Sequence, residues 1–142
     1  MSIETIVSVV PKIPRTKSYI IPVAPIPWAR ARLAGKRHFN AQSQERFAFG
    51  ICLKTQHNSE PLFARPIALD ITFFMPESAN HAKKNKDGMI YHSQRPDLDN
   101  LTKFLLDSLK GVLVTDDSII SRIVAKKVYD REPRTEFVIQ EI

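Results

Sequence analysis

Apolar positions recur along this chain at two spacings, and each spacing predicts a kind of element. SYIIPV (18–23) is a short apolar run that predicts a first strand. IALDITFFM (67–75) alternates, placing Ile67, Leu69, Ile71 and Phe73 on one side of a half-buried strand. AQSQERFAFGICLKTQ (41–56) predicts a helix with Phe47, Ile51 and the stem of Lys54 on one face, weakened by Gly50. From Leu98 to Lys110 the helical pattern is strongest: Leu98, Leu101, Leu105 and Leu109 make an apolar stripe, Phe104 lies beside it, and Gly111 follows as a stop. SIISRIVAKKVY (118–129) is a β-branched run that predicts a strand. RTEFVIQEI (134–142) predicts a last strand, reached through a turn-like DREP.

Two stretches read as loops. APIPWARARLAGKRHFN (24–40) is basic and broken by prolines, and PESANHAKKNKDGMIYHSQ (76–94) is polar around KKNKDG. Residues 1–17 read as an N-terminal extension, with the apolar run Ile6 to Val10 broken by Pro11 and Pro14. The order β, loop, α, β, loop, α, β, β indicates one small α/β domain of mixed α+β type over 18–142. Its mixed sheet is packed by about two helices.

Composition sharpens this picture only where charge enters. At 142 residues the chain is long enough to bury a real core. Cys52 is the only cysteine, which excludes an internal disulfide and a cysteine-rich zinc site. No apolar run approaches the roughly 20 residues a membrane-spanning helix needs. MSIETIVSVVPK has neither a basic leader nor a long apolar stretch, so a cytoplasmic protein is expected. The formal net charge of +6 is unevenly spread: residues 1–96 carry a balance of +8 and residues 97–142 a balance of −2. A basic body attracts polyanions, because neutralised phosphates release condensed counterions. An acidic centre within it would weaken such binding unless a cation neutralised the carboxylates.

That centre is Asp97, Asp99, Asp107, Asp116 and Asp117. Successive helical residues turn by about 100°. Asp99, Lys103 and Asp107, spaced i, i+4, i+8, therefore share a face away from the leucines. Singly these residues have plain roles: Asp97 as a helix cap, Asp99 and Lys103 as an exposed ion pair. Together, an Asp-x-Asp at the helix start and an Asp-Asp beyond its end suit a hard cation, which takes one or two carboxylates plus phosphate and water. Lys103 stands where it could orient a water or stabilise charge on a phosphate. Clustered glycines for a phosphate loop are lacking. His38, His57, His81 and His92 are too scattered for a zinc motif.

The combination resembles the RusA-like Holliday junction resolvases. It is carried by Pro96-Asp97-Leu98-Asp99-Asn100-Leu101-Thr102-Lys103, then Asp107-Ser108-Leu109, Asp116-Asp117 and Lys126-Lys127-Val128-Tyr129. The resemblance implies a phage- or prophage-associated crossover junction endodeoxyribonuclease of DNA recombination and repair. It implies dependence on Mg²⁺ or Mn²⁺ and a homodimer on four-way junction DNA. Asp97, Asp99 and Asp117 would be the metal-binding carboxylates, with Asp116 able to share the role of Asp117, and Lys103 the catalytic lysine. Arg30, Arg32, Lys36 and Arg37, with Lys126 and Lys127, are the expected phosphate contacts. The expected dimer contacts are Ile6 to Val10 and a strand edge near 118–142. A nuclease for other branched DNA, or a non-catalytic nucleic-acid-binding protein, are the alternative readings.

Overall fold

A computed structural model describes residues 13–29, 32–34, 37–39, 42–84 and 90–142. Four strands form one mixed sheet in the order β1-β6-β4-β5: β1 (Thr16–Ile21), β4 (Ile67–Pro76), β5 (Ile120–Asp130) and β6 (Arg134–Glu141). β6 runs antiparallel to both β1 and β4, and β4 runs parallel to β5. A separate two-stranded ribbon joins β2 (Arg32–Ala34) to β3 (Arg37–Phe39). Helix α1 (Ser43–His57), helix α2 (Ala79–Lys84) and helix α3 (Leu98–Leu109) complete the fold. Among the described residues no helix is long and apolar enough to cross a membrane.

The expected mixed sheet is present, and the alternation in β4 does what its pattern predicts. Ile67, Leu69, Ile71, Phe73 and Met75 are all buried on the helix-covered face, meeting Phe137 and Ile139 of β6 and Leu101, Phe104, Leu105 and Leu109 of α3. The leucine stripe of α3 thus sits in the core, and its polar face turns outward. The helix ends where Lys110 turns extended, at φ −62° and ψ 125°, and Gly111, at φ +75°, takes the next position of the turn closed by Val112 N–H to Leu109 O, a conformation that glycine adopts without strain.

Four details differ from the sequence-based expectation. The DREP connection joins β5 to β6 across the end of β4, so these two strands are not hydrogen-bonded partners. Ser118 and Ile119 fall in a 3₁₀ turn (Asp117–Ile119) ahead of β5, because Asp116 caps that turn. Each stretch read as a loop contains regular structure. The β2–β3 ribbon follows the last of the prolines in the first, and α2 lies in the second. On α1 the buried residues are Phe49, Gly50, Leu53 and His57, while Phe47 and Ile51 are 71% and 53% exposed. That helix offers apolar residues on two sides. The side chosen is the one whose His57 bonds the buried Tyr19 hydroxyl through Nδ1 at 2.7 Å and the Pro61 carbonyl through Nε2 at 3.0 Å.

Residues Ile6 to Val10 lie outside the described residues. β5 is an edge strand. The 90–92 segment covers its C-terminal end, through His92 N–H to Lys127 O and Tyr129 N–H to Ile90 O. Further back along β5, Ile123 and Val124 remain 40% and 55% exposed.

Candidate active site

Helix α3 builds the site because its two faces have opposite tasks. With its apolar stripe packed inward, Asp99, Lys103 and Asp107 must project along the outer side. The chain then turns back sharply. Leu109 O accepts from the backbone N–H groups of Val112, Leu113 and Val114. Phe63 pins the returning segment from outside, donating N–H to Leu113 O at 2.8 Å and accepting from Thr115 N–H at 3.0 Å. Leu113 and Val114 are fully buried, so the GVLV link is part of the core and fixes where the next two aspartates emerge. The result is a cleft of about 570 Å³ lined by Leu98, Asp99, Thr102, Lys103, Leu106, Asp107, Asp117 and Ala125.

The structure therefore brings Asp99, Lys103, Asp107 and Asp117 to one cleft. Asp97 stands just outside its lining, as the N-cap residue of α3, but its side chain makes no capping hydrogen bond. The carboxylate is not committed to the helix end, as a plain cap would be. Asp99 Oδ1 accepts from the Asn100 N–H at 2.9 Å. Among the described residues no ion pair joins Lys103 to Asp99 or Asp107. Its ammonium lies over the Trp28 ring, 3.8 Å from the centroid. The exposed helix pair that spacing alone allows is not the arrangement adopted.

The two adjacent aspartates part company. Asp116 caps the 3₁₀ turn by accepting from Ser118 N–H at 3.1 Å, and pairs with Lys110 at 3.2 Å. Ser118 and Lys110 together hold its carboxyl down at about 2, against an ordinary 3.8. Asp117 faces the cleft, and its carboxyl is pushed up by burial and by the charges of Asp107 and Asp116, against the pull of Lys110. Asp117 is thus a carboxylate held up chiefly by burial, and Asp116 a satisfied one. Asp107, read from sequence only as part of the cluster, is the acidic neighbour that matters most to Asp117.

This split has a pH signature. A carboxyl with a lowered folded pKa contributes stability above its unfolded pKa and loses it as pH falls through the folded value. Asp116→Asn should therefore be less stable than wild type by a constant amount above about pH 5, with the two converging near pH 2. Urea unfolding midpoints across that range measure it, and a difference independent of pH would contradict the assignment.

Of the expected basic contacts that the structure describes, two lie on the ribbon and two on β5. Arg32 and Arg37 fall on the β2–β3 ribbon, whereas Arg30 and Lys36 lie outside the described residues. Lys126 and Lys127 alternate across β5. Lys126 borders a hollow on the far side of the sheet with Asp70, Thr72 and Glu136. Lys127 is on the cleft side and donates to Gln94 O at 2.6 Å and Pro96 O at 2.7 Å. It thereby braces the segment that leads into Asp97, a role its place in a Lys-Lys pair does not reveal.

Comparison with known proteins shows the family. The chain is 28% identical over 116 residues to an uncharacterized protein, YqaN, of Bacillus subtilis (strain 168), covering 76% of this chain and 82% of that one. It is 38% identical over 78 residues to a crossover junction endodeoxyribonuclease, rusA, of Lactococcus phage r1t, covering 54% of this chain and 56% of that protein. The family described as endodeoxyribonuclease RusA matches residues 22–140, a span that begins just after β1 and holds the ribbon, every residue that lines the cleft, β5, and β6 up to Gln140. The chain belongs to the RusA endodeoxyribonuclease family.

Proposed function

We propose that the chain is a Mg²⁺-dependent (or Mn²⁺-dependent) endonuclease that resolves four-way DNA junctions in recombination and repair, acting as a homodimer. The observation that carries this reading is the single cleft lined by Asp99, Lys103, Asp107 and Asp117. Its donor set fits a hard cation. Carboxylate oxygens predominate, and burial, with the charges of Asp107 and Asp116, disfavours the charged form of Asp117 against the pull of Lys110. Among the described residues no three His, Cys, Asp or Glu side chains are grouped closely enough to hold a metal ion by themselves. A Mg²⁺ site does not require one, since substrate phosphate and water complete its shell. Asp97, Asp99 and Asp117 would hold the ion. When bound it supplies a Lewis acid that makes water a nucleophile and offsets phosphate charge.

The remaining work falls to the chain's own residues. Lys103 lies along the cleft between Asp99 and Asp107, where its ammonium can donate to a phosphate oxygen as charge develops. Asp116 holds the turn that aims Asp117, and Lys127 holds the segment that aims Asp97. Lys103→Ala should lower the single-turnover cleavage rate by roughly 10²-fold while leaving junction affinity within about threefold. Unchanged kinetics would return Lys103 to a surface role.

The ribbon and its flanks, with Arg30, Arg32, Lys36 and Arg37, are the phosphate-binding element in this reading. Replacing all four by alanine should weaken binding to every DNA shape and lower the salt slope by up to about 0.9 per lost contact. Wild-type affinity and slope would remove this element from the interface.

One such cleft makes one nick, and resolution needs two on symmetry-related strands. A twofold protein dimer matches that substrate, and the exposed Ile123 and Val124 edge of β5 offers a contact surface. A comparison of four-way, three-way, flap and nicked substrates at equal concentration tests the assignment. Preferential, paired cutting of the four-way junction is expected. Preferential single cutting of a flap would favour a general branched-DNA nuclease.

A further inference from the structure

Lys103 has two acidic neighbours on its own helix face and a long, flexible stem. Left to itself it would swing toward Asp99 or Asp107, the partners that i, i+4 spacing provides. It does neither, and the reason lies in a segment remote in sequence. The Trp28 ring sits under the Lys103 ammonium at 3.8 Å, within cation–π range. Trp28 also donates its backbone N–H to Asn100 O at 2.9 Å, one helical turn before Lys103, so ring and helix are registered to each other. The indole itself is half-buried and packs on the hydrophobic core.

The segment carrying Trp28 is clamped in turn. Gln42, buried at 8% exposure, accepts the Ala29 N–H on Oε1 at 2.9 Å and donates from Nε2 to Pro27 O at 2.6 Å. Both ends of one amide thus hold the residues on either side of Trp28. A buried glutamine that bridges the two neighbours of a single residue specifies that residue's position in a way general packing does not.

We infer that Trp28 is the positioning residue for Lys103, holding its ammonium over the indole and away from the ligand carboxylates, and that Gln42 is the clamp that sets Trp28. The inference rests on the catalytic reading of Lys103. A lysine side chain has several freely rotating bonds, and the indole face removes part of that freedom before substrate arrives. The ammonium then meets the phosphate with little reorganisation, and the carboxylates stay available for the cation.

Trp28 is the only tryptophan in the chain, so its emission reports this contact directly. Lys103→Met should change the emission intensity of the folded protein without DNA or metal, while Lys54→Met, on the exposed side of α1, should not. In single-turnover cleavage of a four-way junction in Mg²⁺, Trp28→Leu should lose roughly tenfold in rate with unchanged junction affinity, Trp28→Phe should restore most of it, and Trp28→Leu should add no further loss to Lys103→Ala. Emission that ignores Lys103→Met, or a Trp28→Leu enzyme that cleaves at the wild-type rate while Lys103→Ala is impaired, overturns the inference alone. An emission change with a fully active Lys103→Ala overturns the catalytic reading of Lys103, and the inference with it.

Discussion

Asp99→Asn and Asp117→Asn should each leave junction binding intact and lower cleavage by about 10²–10³-fold, since a Lewis-acid site supplies several kcal/mol of transition-state stabilisation and each 1.36 kcal/mol is tenfold in rate. The substitution keeps the side chain's size and removes its charge. Fewer negative charges facing a polyanion should make affinity equal or tighter. Asp117 adds a second, opposite effect. Its carboxyl is pushed up by burial and by Asp107 and Asp116, so the charged form opposes folding. For a carboxyl whose folded pKa is raised, stability is lost as pH rises through that pKa. At neutral pH Asp117→Asn should therefore be at least as stable as wild type while being nearly inactive. Such a trade marks a residue held for chemistry and not for the fold. Cleavage by either variant within tenfold of wild type in Mg²⁺ would mean that the carboxylates are misassigned.

Phe104→Ala should cost about 3–5 kcal/mol of stability. The ring is fully buried, and it meets Phe49 of α1 edge-on at 5.2 Å between centroids with an interplanar angle of 87°. It lies immediately after Lys103, so the packing that the core demands of Phe104 is also what turns Lys103 outward. The loss should appear as a lower urea midpoint with little change in slope. Phe104→Leu, which keeps most of the apolar volume, should recover much of it. A loss below about 1 kcal/mol would show that α3 is held mainly by its leucines.

The sequence made the site legible for a physical reason. Helical spacing is a strict geometric rule, so Asp99, Lys103 and Asp107 had to share a face once the leucine stripe was buried. β4 was legible in the same way, because alternation leaves one solution. What stayed hidden depends on contacts between distant segments. Helical spacing pointed to the face of Phe47 and Ile51, whereas the buried face is that of Phe49 and Leu53, on the side where His57 bonds the buried Tyr19 hydroxyl. Asp116 and Asp117 are chemically identical in the sequence. The Ser118 and Lys110 contacts of the first separate them. The brace from Lys127 to Gln94 and Pro96 and the clamp from Gln42 to Pro27 and Ala29 join residues far apart in the chain, and no local pattern announces either.

We propose, above all, that one acidic cleft uses a divalent cation to cut junction DNA. The most direct test is cleavage of an end-labelled four-way junction beside a linear duplex of identical sequence, each incubated with Mg²⁺ and with EDTA. Paired, symmetrically placed nicks are expected in the junction with Mg²⁺, none with EDTA, and an uncut duplex under both conditions. Undiminished cutting in EDTA, or equal cutting of duplex and junction, would contradict it.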